Sequence, residues 1–309
     1  MINKIRIGTR GSELALWQTN FVKDLLQKFY PALEIEVQII KTKGDKILDV
    51  PLAKIGDKGL FTKELDLKLL EGEIDIAVHS LKDLETEIDD NLTIGAITKR
   101  HNVNDVLIAK SKNISLKKLN PNAKIGTGSL RRKAQLLHIN PNFQIFDLRG
   151  NVPTRIKKFL ESDWDAIILA RAGVERLNLQ DYISSIIPKS LILPAVGQGA
   201  LAVECRKNDA EILQLLSRIN HHKTEIETRA ERAFLRILEG GCQVPIACYA
   251  KIEKDVLSIE GKILSIDGSI CFYHRLTGSS RNPEKLGEKL ALKLLNAGAK
   301  EIINEIYKK

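Results

Sequence analysis

Long apolar runs are missing from this 309-residue chain, and with them any stretch able to cross a bilayer as a helix. Low-complexity tracts are missing too, and 43% hydrophobic with 28% charged residues is the balance of an ordinary globular protein. Cysteine is scarce. Cys205, Cys242, Cys248 and Cys271 form no CxxC pair, which argues against a disulfide framework or a zinc site. The opening "MINKIRIGTRGSELALW" lacks the basic-then-apolar pattern of a secretory signal, so a cytoplasmic protein with no membrane partner is expected. Aromatics, at 5%, are too few for a base-stacking platform. What is plentiful is positive charge: the formal net charge of +9 calls for an anionic partner. Because the arginines fall singly or in pairs at turns, a pocket for an acidic small molecule is favoured over a nucleic-acid groove.

The length exceeds one ordinary domain. Alternating strands and helices fill the first two thirds. "KIRIG" leads through "GTRGS" into an amphipathic helix from Ser12 to Phe29, with Ser12 as its N-cap. "IEVQII" reads as a strand, "LFTKELDLKLLEG" as a helix closed by Gly72, and "IDIAVHS" as a parallel strand covered on both sides. The rhythm resumes after Asp105 with strand "KIGTG", helix "SLRRKAQLLHI", strand "QIFDL", a helix entered through Pro153, and strand "DAIILA". "IGTRGS" and "IGTGS" each join a strand to a helix, so two similar α/β domains are expected. From about residue 222 a long charged helix, three alternating runs and a last helix begun at Asn282–Pro283 predict a smaller α+β domain with a three-stranded antiparallel sheet. The expected division is 1–100 with 196–219, then 101–195, then 220–309.

Several residues in this pattern carry chemistry. Glycine turns beside Ser12 and Ser129, at helix N-termini, suit anions, and Arg10, Arg131 and Arg132 stand next to them; two plain βα turns would also read this way. Asp83 follows a buried strand in "AVHSLKDLE", where α/β sheets bind ligands. It is either a general acid and ion-pair partner or a solvated loop carboxylate. His79 reads as a packing histidine, since no second histidine or carboxylate stands at metal spacing and no metal is expected. Arg149 opens "RGNVPTR" with Arg155 one to two helical turns on, so both can lie near one helix N-terminus, and with Arg171 and Arg176 they suit a ligand rich in carboxylates. In "LEGGCQVPIA", Cys242 sits behind Gly240 and Gly241 on a pliable loop.

"GTRGSELALWQT", "KGLFTKELDLKLLEGEIDIAVHSLKD", "GTGSLRRKAQL", "LRGNVPTR", "AGVERL", "LPAVGQGALAVECR" and "GGCQVPI" occur in the order seen in the porphobilinogen deaminase (hydroxymethylbilane synthase) family, and the chain resembles it from the N-terminus into the third domain. The resemblance implies a transferase of porphyrin and haem biosynthesis. Such enzymes condense four porphobilinogens head-to-tail, release ammonia and hydrolyse off 1-hydroxymethylbilane. It implies a dipyrromethane cofactor held as a thioether on Cys242, an anchor that survives each cycle, and Asp83 as the catalytic acid. It places cofactor contacts at Ser12, Lys54, Ser80, Lys82, Thr127, Ser129, Arg131, Arg132 and Gly150, and substrate contacts at Arg10, Phe61, Arg149, Arg155, Arg176 and Gln198. Six rings bring about a dozen carboxylates to one cleft, which accounts for the basic lining. The two α/β domains are expected to resemble those of periplasmic solute-binding proteins, although a receptor of that kind has no use for Cys242. A monomer without nucleic-acid partner is expected. Three positions depart from the family pattern: Glu85 where proline is usual, Asn104 where arginine is usual, and Ala247 where glycine is common.

Overall fold

The computed structural model describes residues 2–42, 44, 59, 62–238 and 244–307, which fall into two compact units. The first joins the N-terminal segment, through His101, to Gly199–Glu225; the second joins Asn102–Gln198 to the chain from Ile226 onward.

In the first unit β1 (Lys4–Thr9) turns inward Ile5 and Ile7 and passes through Arg10 and Gly11 into α1 (Glu13–Phe29). The Ser12 hydroxyl accepts the Ala15 N–H at 3.3 Å, satisfying one orphan donor of the first turn, as the sequence predicts. α1 buries Ala15, Gln18, Thr19, Val22 and Leu26, a stripe at helical spacing. Next come β2 (Glu34–Ile39), α2 (Lys63–Leu70), β3 (Ile76–Ser80) and β4 (Leu92–Ile97). After the chain returns, β10 (Leu201–Arg206) and α6 (Ala210–Ser217) complete the unit. The sheet order is β2-β1-β3-β10-β4; β1 runs parallel to β2 and β3, whereas β10 runs antiparallel to β3 and β4. One face packs Ile5, Ile7, Val78 and Val203 on Val22, Leu26 and Leu216, while Leu65 and Leu69 of α2 cover Ile74 and Ala77 on the other.

The second unit repeats this plan. Its elements are β5 (Asp105–Ala109), β6 (Lys124–Gly126), α3 (Leu130–Ile139), β7 (Gln144–Phe146), α4 (Val152–Leu160), β8 (Ala166–Ala170), α5 (Arg171–Arg176) and β9 (Ser185–Ile186). The order β7-β6-β8-β5-β9 has β6 parallel to both neighbours and β5 antiparallel to both of its own, so β5 stands here where β10 stands in the first sheet. Both halves are thus doubly wound α/β folds of one topology. The sequence reading saw the parallel strands but not the returning ones. "DVLIA" and "LAVEC" are continuous apolar runs, and such runs carry no sign of strand direction.

The same unit carries the antiparallel meander. α7 (His222–Ile237) leads to β11 (Ile246–Glu253), β12 (Val256–Leu264), β13 (Cys271–Ser279), α8 (Pro283–Leu294) and α9 (Lys300–Tyr307). Lys254 and Asp255, both at positive φ (47° and 65°), make the two-residue turn whose twist suits a hairpin between β11 and β12. Phe234, Ile259 and Leu290 lie in one core, and Gly287 lets α8 meet α7, since a Cβ there would fall 2.1 Å from the Ala230 carbonyl oxygen. The meander is tied to the α/β half by a backbone bond from Cys248 N–H to the Pro194 carbonyl (3.1 Å) and by His138 Nδ1 against the Gly268 carbonyl (2.9 Å).

Candidate active site

Parallel neighbours end side by side, so the residues after β1 and β3 share one edge of the first sheet. Arg10 and Ser12 follow β1. β3 ends at Ser80, whose hydroxyl accepts from Gln18 Nε2 of α1 at 2.8 Å, linking the two strand ends through the helix between them. A single 3₁₀ turn, Leu81–Asp83, buries Leu81 and leaves Lys82 half-buried and Asp83 exposed. A carboxyl group on such a turn is open to solvent and to a ligand, and Lys82 supplies a cation one residue away.

The equivalent edge of the second sheet is richer in cation. Thr127 and Ser129 follow β6, with Thr127 Oγ1 accepting the Ser129 N–H at 3.4 Å; Ser129 makes no capping bond of its own, unlike Ser12. Gly128 lies against β7's exit, where a Cβ would come within 2.6 Å of the Leu148 carbonyl oxygen. Arg149 donates through Nε to Asp147 (3.1 Å), and Gly150 adopts φ 111°. Asn151 Oδ1 caps α4 by accepting from Thr154 N–H at 2.9 Å. Arg155 Nε reaches back to the Gly150 carbonyl at 2.7 Å, so Arg149, two residues before the cap, and Arg155, in the first turn, both lie near the α4 N-terminus. Arg176, at the end of α5 after β8, is buried, and burial pushes its guanidinium down to about 10, still charged at neutral pH.

Arg131 and Arg132 are the buried core of this edge, each about 5% exposed. Arg131 Nη2 and Arg132 Nη2 grip the two oxygens of Asp105, at 2.9 and 2.8 Å. Arg131 also donates to the Leu193 carbonyl (2.5 Å) and Arg132 to the Ile168 carbonyl (3.1 Å). Gln198 joins them, its Nε2 donating to Asp105 Oδ1 (3.0 Å) and the Val103 carbonyl (2.7 Å). Burial alone would raise the Asp105 carboxyl, but the two guanidiniums outweigh it and hold it well below the usual carboxylate range. Two cations against one anion leave a net positive charge out of water, and Arg132 Nε is a buried donor without a partner among the described residues.

Lys54, Phe61 and Cys242 lie outside the described residues; Leu238 and Val244, on either side of the cysteine segment, are both buried in the meander core. Of the departures, Asn104 donates through Nδ2 to the Ile187 carbonyl at 2.7 Å, and Ala247 is fully buried on β11. Asp105, the partner of both arginines, escaped the sequence reading because it opens an apolar strand, 26 and 27 positions away from them. His79 is buried, as its reading as a packing histidine expects, but the fold also brings two carboxylates, Asp66 and Glu204, to it from distant segments, which local spacing could not show.

The family model described as "Porphobilinogen deaminase, dipyromethane cofactor binding domain" matches residues 5–214, and "Porphobilinogen deaminase, C-terminal domain" matches 226–296. The chain belongs to the porphobilinogen deaminase family. A porphobilinogen deaminase of Moorella thermoacetica is 50% identical over 303 residues, covering 98% of this chain and 96% of that protein. That of Syntrophomonas wolfei is 51% identical over 307 residues, covering 99% and 100%. Among solved structures, the methionine-binding protein MetQ aligns at a TM-score of 0.45 and 12% identity over 70% of this chain and 90% of its own. Membership makes the chain a deaminating transferase of porphyrin and haem biosynthesis, acting on porphobilinogen with a dipyrromethane cofactor.

Proposed function

We propose that Asp83 is the acid of the porphobilinogen condensation and that Cys242 anchors the dipyrromethane, whose carboxylates and those of the substrate are taken by the chain's basic and hydroxyl side chains. The observation that carries this reading is the buried Arg131–Arg132 pair on a single carboxylate, with Arg132 Nε unspent. A polycarboxylate ligand fits that charge and donor deficit. Ser12, Ser80, Lys82, Thr127, Ser129 and the Gly150 backbone are the cofactor-side contacts; Arg10, Arg149, Arg155 and Arg176 take substrate carboxylates. Lys54 is kept as a cofactor contact and Phe61 as a substrate contact. Gln198, expected as a substrate contact, is buried against Asp105 and in this reading acts through it, orienting the pair.

When bound, the dipyrromethane supplies the primer on which the product is extended. The chain's own residues do the rest. Arginine forks fix each incoming ring by its carboxylates, which turns the encounter into a positioned reaction. Asp83 passes a proton to the departing amine and, as a carboxylate, then faces the cationic ring that remains. The exposed 3₁₀ turn lets it meet successive rings.

The same proposal treats the protein as a cytoplasmic monomer without nucleic-acid or membrane partners. Cys205, Cys248 and Cys271 stand as free thiols, and no described helix is long and apolar enough to cross a membrane. It also keeps three parts, 1–100 with 196–219, 101–195 and 220–309, supported by separate apolar cores for each sheet.

Intact-mass measurement of purified protein tests the reading. We expect an added mass equal to two condensed porphobilinogens, absent in Cys242→Ser, and loss of turnover in Asp83→Ala with the added mass retained. An unmodified wild-type chain, or an active Asp83→Ala enzyme, overturns it.

A further inference from the structure

Behind the strand that delivers Ser80, Lys82 and Asp83 lies a polar cluster that the proposed chemistry does not use. The register pairs His79 with Ala202 and Ala77 with Glu204, so His79 and Glu204 are diagonal neighbours on one face of β3 and β10. α2 covers that face through Leu65 and Leu69 and lowers Asp66 onto the same spot. His79 Nε2 lies 3.2 Å from Glu204 Oε2, and one ligand atom from each of the three side chains falls within 4.8 Å of the others. Glu204 is fully buried and His79 is 6% exposed. Neither oxygen of Glu204, nor Asp66 Oδ1, has a hydrogen-bond donor among the described residues.

Two carboxylates facing each other against an apolar layer repel unless something positive lies between them, and an isolated buried carboxylate neutralises before it stays ionised. Among the described residues, Glu204 from β10, His79 from β3 and the Thr62 hydroxyl ahead of α2 act on Asp66. Beside Glu204 on β4 stands Ile94, which offers no charge. We propose that Asp66 carries a proton that it donates to the Glu204 carboxylate, whose far side faces His79, and that this shared proton locks α2, β10 and β3 together. Asp66, His79 and Glu204 are then positioning residues: they fix the end of β3 from which the Asp83 turn departs. Burial first, and the Glu204 charge second, push the Asp66 carboxyl up to about 7, in keeping with that assignment. The consequence for catalysis rests on the reading of Asp83 as the acid; the proton itself does not.

Infrared difference spectroscopy on the holoenzyme reads the proton directly. We expect a protonated-carboxyl band at pH 6 that titrates away with a midpoint near 7, is missing in Asp66→Asn and persists in Asp83→Ala. We expect Asp66→Ala to lower kcat about tenfold with KM unchanged, and Asp66→Asn, which keeps a donor, to restore it. Absence of the band in wild type, its survival in Asp66→Asn, or a stoichiometric divalent metal in the purified enzyme overturns the proposal. An active Asp83→Ala enzyme that keeps the band removes the catalytic reading alone.

Discussion

Replacing Asp105 by asparagine keeps the shape of the side chain and removes its charge, leaving Arg131 and Arg132 buried with no anion. Removing one partner of a buried pair costs about 3–5 kcal/mol, and the asparagine carbonyl, which still accepts one bond, argues for the lower end. A folded domain holds only about 5–15 kcal/mol in all. With a urea slope of about 1–3 kcal/mol per molar, a loss of about 3 kcal/mol lowers the midpoint by about 1–3 M. The sequence has two tryptophans, Trp17 and Trp164, and Trp164 stacks on Phe146 in the second α/β half at 5.6 Å. In a Trp17→Phe background its fluorescence therefore follows the half that contains the substitution. A second arm uses acid. The Asp105 carboxyl is depressed in the fold, so its contribution is complete above the unfolded value of about 4 and is lost as pH falls below it. The asparagine variant lacks that contribution and loses stability less steeply below about pH 4. A midpoint change under about 0.3 M at unchanged slope, with the same acid sensitivity as wild type, refutes the reasoning.

Three further outcomes follow from the packing and the caps. Gly287→Ala drives a methyl into the Ala230 carbonyl between α7 and α8 and should cost about 1–3 kcal/mol, seen as a lower thermal midpoint. Asn151→Ala removes the cap of α4 and should cost about 1 kcal/mol in urea unfolding, while Asn151→Ser recovers most of it. Burial pushes the Cys205 thiol up to about 12, so a thiol reagent at pH 8 should leave it untouched in the native protein and label it only after unfolding, as peptide mass mapping will report.

Local chemistry made much of this architecture legible. Ser12 as a cap, Gly72 as a stop and Pro153 in the first turn of α4 are each decided by neighbours in sequence. The paired βα turns at Ile7 and Ile125 announced two related halves, and the shared strand order shows why they look alike. Strand direction was hidden, because a wholly buried strand such as β5 or β10 reads as a plain apolar run from either end. Candidate arginines were visible one by one. Their shared anion was not: Asp105 meets Arg131 and Arg132 only once β5 lies beside β8, and no periodicity encodes that meeting. Asp66 and Glu204 were invisible for the same reason.

The insertion of β10 between β3 and β4 also has a consequence for the ribosome. β4 ends at Ile97, yet its sole neighbour in the sheet among the described residues, Leu201–Arg206, emerges roughly 100 residues later, about 5–20 s of synthesis. For that interval β3 has a bare edge and β4 nothing to pair with, while β5 to β9 are translated one after another. The α/β half that begins first is therefore the one that finishes last, and the nascent chain carries sticky, unpaired strands through about a third of its elongation.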